Sequence, residues 1–375
     1  MKCIDEVPED EWKAKRVLLR SDFNLPLNTS GEVSDMFRLK QGWKTIQYLA
    51  DRGARVISIS HIGRDPEESI EPVARAMKQF GKVVFVPDLT GQMAQDAAKA
   101  MKDGEILLLE NVRRDARETE NAESFAKELA ALADIYVDDA FAAAHRTHAS
   151  IVGVPRLLPH YAGFLMRDEV KAIDSARSPQ SPSFAILGGA KFETKAPLIK
   201  LLLEKYDHLF VTGALANDVF KARGLSVGRS LISKELPDDA ILKHPHFLAP
   251  IDVTVENAAG QAVVKKPQDV ADGDKIVDIG PDTVAMLAPY IESAKSILWA
   301  GPTGMYEKGY IQYTKGIAQL ISQSAAQKVI GGGDTIAAIE ATGIDESNLG
   351  FLSTGGGAML EYLLKGTLPG VEALK

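Results

Sequence analysis

The sequence predicts an α/β protein: two Rossmann-like, doubly wound parallel-sheet domains joined by an interdomain helix and a hinge. Three observations point there. Short β-branched or leucine-rich runs alternate with amphipathic helical stretches along the chain, the pattern of parallel strands linked by helical crossovers. The length of 375 residues suits two domains at roughly 100–200 residues each. Near the middle, a helical stretch over Met166–Ala176 runs into Ser175-Ala176-Arg177-Ser178-Pro179-Gln180-Ser181-Pro182-Ser183, which has the composition of a linker.

In the first half, strands are expected at Arg16–Arg20, Arg55–Ser60, Val83–Val86, Ile106–Leu109 and Ile135–Val137. Each is a short apolar run of strand length. Helices are expected over Lys40–Arg52, Ser69–Phe80 and Ala122–Ala133, where apolar residues recur three and four apart. The second half places strands at Phe184–Leu187, His208–Thr212, Ser296–Trp299, Lys328–Ile330 and Phe351–Ser353, with a helix over Ala196–Tyr206.

Composition narrows the function. Lys plus Arg is 43 and Asp plus Glu is 51, a net charge of −8. That argues against a dedicated nucleic-acid partner, though not against a local basic pocket. The 45% hydrophobic and 25% charged fractions are ordinary for a globular chain. A single cysteine, Cys3, excludes a disulfide framework and a Cys-based zinc site. The segment Met1–Trp12 is acidic and contains Pro8, unlike a signal peptide, and no apolar run approaches the ~20 residues that span a bilayer. The expectation is a cytoplasmic protein with no membrane partner, monomer or dimer being left open.

Ligands of open parallel sheets bind outside the carboxyl ends of the strands. In the first half those ends carry cations. Arg20 closes the first strand, followed by Asp22 and Asn24; His61 and Arg64 follow the second; Arg113 follows the fourth; Arg146 follows the fifth, between His145 and His148. Arg38 comes after a long loop. One rim thus collects Arg20, Arg38, His61, Arg64, Arg113 and Arg146. Guanidinium forks match phosphate and carboxylate oxygens bidentately, so a small, multiply anionic ligand is expected. Asp22 and Asn24 either orient its hydroxyls or make a turn. No histidine pair has the i, i+4 spacing with a carboxylate that marks a helical metal site. Capping or core hydrogen bonds are the plainer roles for His145 and His148.

In the second half the strand ends carry glycines. The turns are Gly188-Gly189-Ala190-Lys191, Ala300-Gly301-Pro302-Thr303-Gly304, Gly331-Gly332-Gly333-Asp334-Thr335 and Gly355-Gly356-Gly357. Glycine lets backbone N–H groups approach a phosphate, and a helix N-terminus adds a favourable dipole. None of the four matches GxxxxGK[ST] or GxGxxG. Lys191 and Lys195 stand i, i+4 on one helical face, a like-charge pairing that an anion would relieve. Asp334 either meets a metal-bridged phosphate or caps the next helix.

A cationic pocket and a polyphosphate site on either side of a linker suit a hinge-closing phosphotransferase. A kinase for another small carboxylate and a nonenzymatic nucleotide-binding protein remain open on these residues alone.

In these residues the chain resembles the phosphoglycerate kinase family, in order and along nearly its whole length. The resemblance is carried by Arg20-Ser21-Asp22-Phe23-Asn24-Leu25-Pro26, Ser60-His61-Ile62-Gly63-Arg64, Leu108-Leu109-Glu110-Asn111-Val112-Arg113 and Ala144-His145-Arg146-Thr147-His148-Ala149-Ser150. The second half adds Ile186-Leu187-Gly188-Gly189-Ala190-Lys191, Gly331-Gly332-Gly333-Asp334-Thr335, Ser353-Thr354-Gly355-Gly356-Gly357-Ala358 and Leu368-Pro369-Gly370-Val371-Glu372-Ala373-Leu374. It implies reversible transfer between 1,3-bisphosphoglycerate and ADP, giving 3-phosphoglycerate and ATP with Mg2+. It implies that Asp22, Asn24, Arg38, His61, Arg64, Arg113 and Arg146, beside Arg20, hold the phosphoglycerate. Arg38 and Lys191 would stabilise the transferring phosphoryl, with the N–H groups of Gly333 and Gly356. The nucleotide would lie against Gly189, Ala190, Gly213, Pro302, Gly332 and Gly333. Lys195 would meet its phosphates, Glu307 its ribose and Asp334 the Mg2+, while Thr335 caps the loop at the phosphates. The resemblance also implies a discontinuous first domain: 1–165 with the tail 360–375, an interdomain segment at 166–179, and a nucleotide domain at 180–359.

Three departures from the family pattern stand out. Ala300 replaces a frequent Asn before Gly-Pro. Thr212-Gly213-Ala214-Leu215-Ala216-Asn217 replaces a glycine run, a variant resembling archaeal-type members. Thr147 replaces a common Ala.

Overall fold

The apolar runs pair into two parallel sheets in the computed structural model, which describes residues 1–34 and 36–375. Contacts divide the chain into two units, Met1–Lys171 with Thr367–Lys375, and Ala172–Gly366.

The first unit contains β1 (Arg16–Ser21), β2 (Arg55–Ile59), β3 (Val83–Val86), β4 (Ile106–Leu109), β5 (Ile135–Asp139) and β6 (His160–Ala162). They lie side by side as β3-β4-β2-β1-β5-β6, every pairing parallel. The edge strand β6, His-Tyr-Ala, is too short to show as a strand in the sequence. Helices α1 (Phe37–Asp51), α2 (Glu71–Met77), α3 (Gln92–Ala100) and α4 (Glu123–Ala130) make the crossovers. Helix α1 buries Leu39, Trp43, Ile46 and Leu49, spaced so that one stripe faces the sheet. These side chains join Val17, Leu19, Val56, Leu108 and Val137 in one core, each worth about 1.5–3 kcal/mol when fully buried. The carboxyl ends of β1, β2 and β5 align through the pairs Arg20↔Ile59 and Arg20↔Asp138. Helix α5 (Phe164–Arg177) spans the division at Lys171.

The second unit contains β7 (Ser183–Leu187), β8 (His208–Val211) and β9 (Phe247–Leu248), then β10 (Val253–Glu256), β11 (Ala262–Lys265) and β12 (Lys275–Ile279), then β13 (Ser296–Ala300), β14 (Gln327–Gly331) and β15 (Phe351–Ser353). The main sheet runs β15-β14-β13-β7-β8-β9, all parallel. Its helices are α6 (Phe192–Lys205), α7 (Ala214–Ala222), α8 (Asp239–Leu242), α9 (Pro281–Ser293), α10 (Gln312–Gln323), α11 (Gly333–Thr342) and α12 (Gly356–Lys365). The purely parallel expectation is incomplete here, because β11-β10-β12 form a separate antiparallel sheet. Asn257 makes its hairpin turn, its Oδ1 accepting the N–H groups of Ala259 and Gln261 at 2.9 Å.

The returning tail is shorter than the expected 360–375. Helix α12 stays in the second unit and ends at Gly366, whose φ of +77° and N–H to Tyr362 O (2.7 Å) close it. Only Thr367–Lys375, carrying α13 (Pro369–Ala373), joins the first unit. The Gly370 N–H donates to Ala144 O at 2.8 Å, and a Cβ at Gly370 would meet Ala144 and Ile151 at 3.0 Å, so a side chain there would crowd both.

Candidate functional site

In the first unit the strand ends do gather cations, but not all of them face outward. Arg20 is 1% exposed. Its Nε donates to Ser150 Oγ at 3.0 Å, its Nη1 to Ser21 O and its Nη2 to His61 Nδ1 at 3.1 Å. Arg20 is therefore a buried strut rather than a rim cation, a correction to the sequence reading. Arginine only donates, so His61 Nδ1 accepts and the neutral ring carries its proton on Nε2. Burial, then the charges of Arg20, Arg146, His148 and Arg38, hold His61 well below the usual imidazole value. Burial, then Arg146, Arg20 and His145, lower His148 to about 4.

Around this ring the other expected residues take up different stations. Arg38 Nη1 donates to Asn24 O at 3.2 Å and lies 3.5 Å from the buried carboxylate of Asp22. Asn24 Oδ1 accepts the Gly63 N–H at 2.9 Å, and Arg113 Nη1 donates to Gly63 O. The Gly63 loop is thus tied to the ends of β1 and β4. Arg64 is exposed and Arg146 half-buried. Burial lowers Arg146, and Asp22, Arg20 and Arg64 act on it in turn. His145 Nε2 accepts from Arg146 Nε at 3.4 Å.

In the second unit the glycine turns close on one another. A Cβ on Gly301 (φ +104°) would lie 2.5 Å from Gly188 Cα, and one on Gly188 would lie 2.9 Å from Pro302 O. A Cβ on Gly213 (φ +63°) would lie 3.2 Å from Gly189 N. The turns after β7, β8 and β13 therefore touch backbone to backbone. Thr335, fully buried, ties the next turn in: it donates to Gly331 O at 2.9 Å and accepts the Gly301 N–H at 2.7 Å. Its hydroxyl faces backbone and ties the Gly331-Gly332-Gly333 turn to the Gly301 turn.

These turns wall a cavity of about 570 Å³ whose lining includes Gly189, Ala190, Gly213, Pro302, Glu307 and Asp334, a volume in the range of small-molecule sites. Asp334 is exposed at its edge and accepts from Tyr306 OH at 3.4 Å. Nothing lies within 4 Å of a Cβ built on Gly333 or Gly357, so the N-termini of α11 and α12 open onto free space. Lys195 lies over Gly189, its Cε 3.2 Å from a Cβ built there, and burial alone lowers its ammonium. A ligand anion would offset that cost. Lys191, exposed, begins α6 from the left-handed region (φ 63°, ψ 72°).

A family model described as "Phosphoglycerate kinase" matches residues 5–366. The phosphoglycerate kinase of Herpetosiphon aurantiacus is 41% identical over 97% of this chain and 97% of its own, and that of Clostridium perfringens 41% over 100% and 98%. The chain belongs to the phosphoglycerate kinase family. It is accordingly a kinase that uses a nucleotide as substrate. Solved structures titled as phosphoglycerate kinases share its fold: Coxiella burnetii, TM-score 0.82 at 35% identity over 99% and 98% of the two chains, and Pyrococcus horikoshii, TM-score 0.86 at 30% over 100% and 98%.

The kinase has cavity walls that the sequence reading missed. Val253 and Lys275–Ile279 of the antiparallel sheet line it, with Asn217, Leu231, Pro250, Met305 and Tyr306. The alternation in Val253-Thr254-Val255-Glu256 was the available signal for β10. Among these residues Asp278 is almost wholly buried, accepts the Ile279 N–H at 2.8 Å, and is pushed up by burial to about 7. The folded state therefore binds a proton that the unfolded chain releases at lower pH. Its contribution is present below the unfolded value of 3.8 and is lost as pH rises through about 7. Asp278→Asn is expected to flatten this slope, gaining up to about 4 kcal/mol over the parent above pH 7, as read by urea unfolding across the pH range.

Proposed function

We propose that this chain catalyses reversible phosphoryl transfer between 1,3-bisphosphoglycerate and ADP, yielding 3-phosphoglycerate and ATP, in the cytoplasm as part of glycolysis. The observation that carries this reading is the cationic surround of His61. The guanidiniums of Arg20, Arg146 and Arg38 all act on a ring already held neutral by burial, an electrostatic imbalance that a phosphate or carboxylate ligand corrects.

On this reading Arg38, Arg64, Arg113, Arg146 and the Nε2–H of His61 hold the phosphoglycerate, with Asp22 and Asn24 placing its hydroxyl. The glycine-walled cavity takes the nucleoside, Glu307 reaching its ribose. The open N-termini of α11 and α12 and the ammonium of Lys195 meet the phosphates. Arg38 and Lys191 neutralise the oxygens of the transferring group, with the N–H groups of Gly333 and Gly356. The acceptor carboxylate is ionised at neutral pH, given a reference value near 4, so no general base is required. In-line transfer requires donor and acceptor to meet with water excluded, and the segment joining the domains is read as the hinge.

The residues present fit Mg2+. Asp334 supplies one exposed carboxylate at the cavity edge. Among the described residues no group of three or more His, Cys, Asp and Glu is placed to hold a metal by itself. One carboxylate plus substrate phosphates is the usual Mg2+ arrangement. Bound there, Mg2+ would neutralise negative charge on the nucleotide phosphates.

A coupled assay with 3-phosphoglycerate, ATP and Mg2+ tests the reading, beside a panel of other small carboxylates. Turnover confined to 3-phosphoglycerate is expected. Turnover of a different carboxylate alone, or ATP binding by calorimetry without any turnover, overturns it.

A further inference from the structure

Beneath His61 lies a chain of buried hydrogen bonds that none of the roles above uses. Glu118 is 0% exposed. Its Oε1 accepts the Ser150 hydroxyl at 2.6 Å and its Oε2 the Ser150 N–H at 2.9 Å. Ser150 Oγ accepts from Arg20 Nε at 3.0 Å, and Arg20 Nη2 donates to His61 Nδ1 at 3.1 Å. Arg20 can only donate, so Ser150 accepts from it, and with Glu118 ionised Ser150 donates its one proton to that carboxylate. The Glu118 carboxylate is the sink for that proton, and its charge balances a guanidinium sealed from water. Tyr136 OH donates to Ser150 O at 2.6 Å and fixes the serine backbone.

We propose that Glu118 and Ser150 are positioning residues for anion binding, acting through Arg20 to hold His61 as the Nε2–H tautomer that donates to the phosphoglycerate. The inference rests on the substrate reading above. Glu118 lies well away in sequence from the residues it serves, linked to Ser150 across 32 positions and Ser150 to Arg20 across 130. The anchoring must be buried. A rim arginine is free to swing with its ligand, whereas Arg20 has Ser150, Ser21 and His61 on three arms and cannot. The charged and titratable groups acting on His61 are Arg20 from β1, Arg38 from α1, and Arg146 and His148 from the loop after β5. Glu118 and Asp138 lie beyond Arg20; burial raises both carboxyls, Asp138 to about 7, and the Arg20 charge opposes that rise. His61 thus receives a fixed donor on one side and a field of cations, which leaves its Nε2–H as its means of serving an anion.

The test uses the full chain labelled with 15N-histidine, in the parent, Ser150→Ala and Glu118→Gln. In the parent, NMR at neutral pH is expected to show His61 neutral with its proton on Nε2. In both variants the Nδ1 tautomer or the imidazolium is expected to appear. The KM for 3-phosphoglycerate is expected to rise about tenfold, with kcat at saturation and the KM for ATP within about twofold. An unchanged His61 spectrum in both variants overturns the proposal. So does a fall in kcat with neither KM altered, since that marks a purely structural role. Ser150→Ala leaves the backbone N–H to Glu118 in place, so at least one variant keeps the carboxylate anchored. A parent that fails to phosphorylate 3-phosphoglycerate sinks the substrate reading and this inference's anion with it, while the spectrum still reports whether Glu118 sets the tautomer.

Discussion

Lys191→Ala is expected to lower kcat about 100- to 1000-fold and to leave folding almost untouched. The side chain is exposed, so its removal opens no cavity. The backbone at Lys191 sits at φ 63°, ψ 72°, where any residue with a Cβ is strained. Alanine keeps the Cβ and hence the strain, so the substitution isolates the ammonium. Lys191→Gly makes the complementary point. It should lose the same activity while gaining about 1 kcal/mol of stability through release of that strain. Steady-state kinetics and urea unfolding of both variants decide. A kcat within tenfold of the parent in Lys191→Ala means that this residue does not neutralise the transferring group. The strained start of α6 is then a feature of the turn and not of the chemistry.

Gly301→Ala is expected to cause the largest loss of stability. Its new Cβ would sit 2.5 Å from Gly188 Cα at φ +104°. Neither turn can yield, since the Gly188 N–H donates to Ala300 O at 2.6 Å and the Gly301 N–H to Thr335 Oγ1 at 2.7 Å. A loss of about 3 kcal/mol is expected from overpacking and backbone strain together. That corresponds to roughly 6–12 °C in the melting temperature of the second unit. On the proposed reading ATP affinity should fall with it, because the same turns wall the cavity. Gly333→Ala is the contrast. Nothing lies within 4 Å of a Cβ there and no positive φ is imposed, so the first turn of α11 should gain about 0.5–1 kcal/mol. Differential scanning calorimetry of the two variants separates a glycine needed for packing from one that leaves space for a phosphate. Equal melting temperatures for both would mean that the turns part more easily than their bonds imply.

Much of the architecture was legible in the sequence, because strand-length apolar runs and helix-spaced stripes report burial directly. The ten expected strands lie in the two parallel sheets. What escaped were β6, only three residues long, the short edge strand β9, and the antiparallel β10, β11 and β12. Strand β11 has Ala262, Val263 and Val264 exposed, so no half-buried alternation marks it. The glycine turns were legible for a similar reason. A residue without a side chain at a strand end signals that something approaches the backbone, either a ligand or another backbone. At Gly301 it is backbone; at Gly333 it is open space.

For the candidate site, the sequence by itself determined the kinds of chemistry present. Arginines follow the strands of one half and glycines those of the other, and both point to anionic ligands. The tertiary structure alone decided which of those residues face outward. Strand β1 is buried on both sides over Val17–Ser21, so alternation carries no information about the direction of Arg20. Its direction comes from Ser150 and His61, 130 and 41 residues away. Thr335 is likewise turned inward by Gly301, 34 residues before it. A hydrogen bond is set by distance and angle between two atoms, and no local pattern encodes which distant segment will bring the second atom. The neutral state of His61 follows the same rule, since it depends on burial and on the guanidiniums of Arg20, Arg38 and Arg146, contributed by separate parts of the chain.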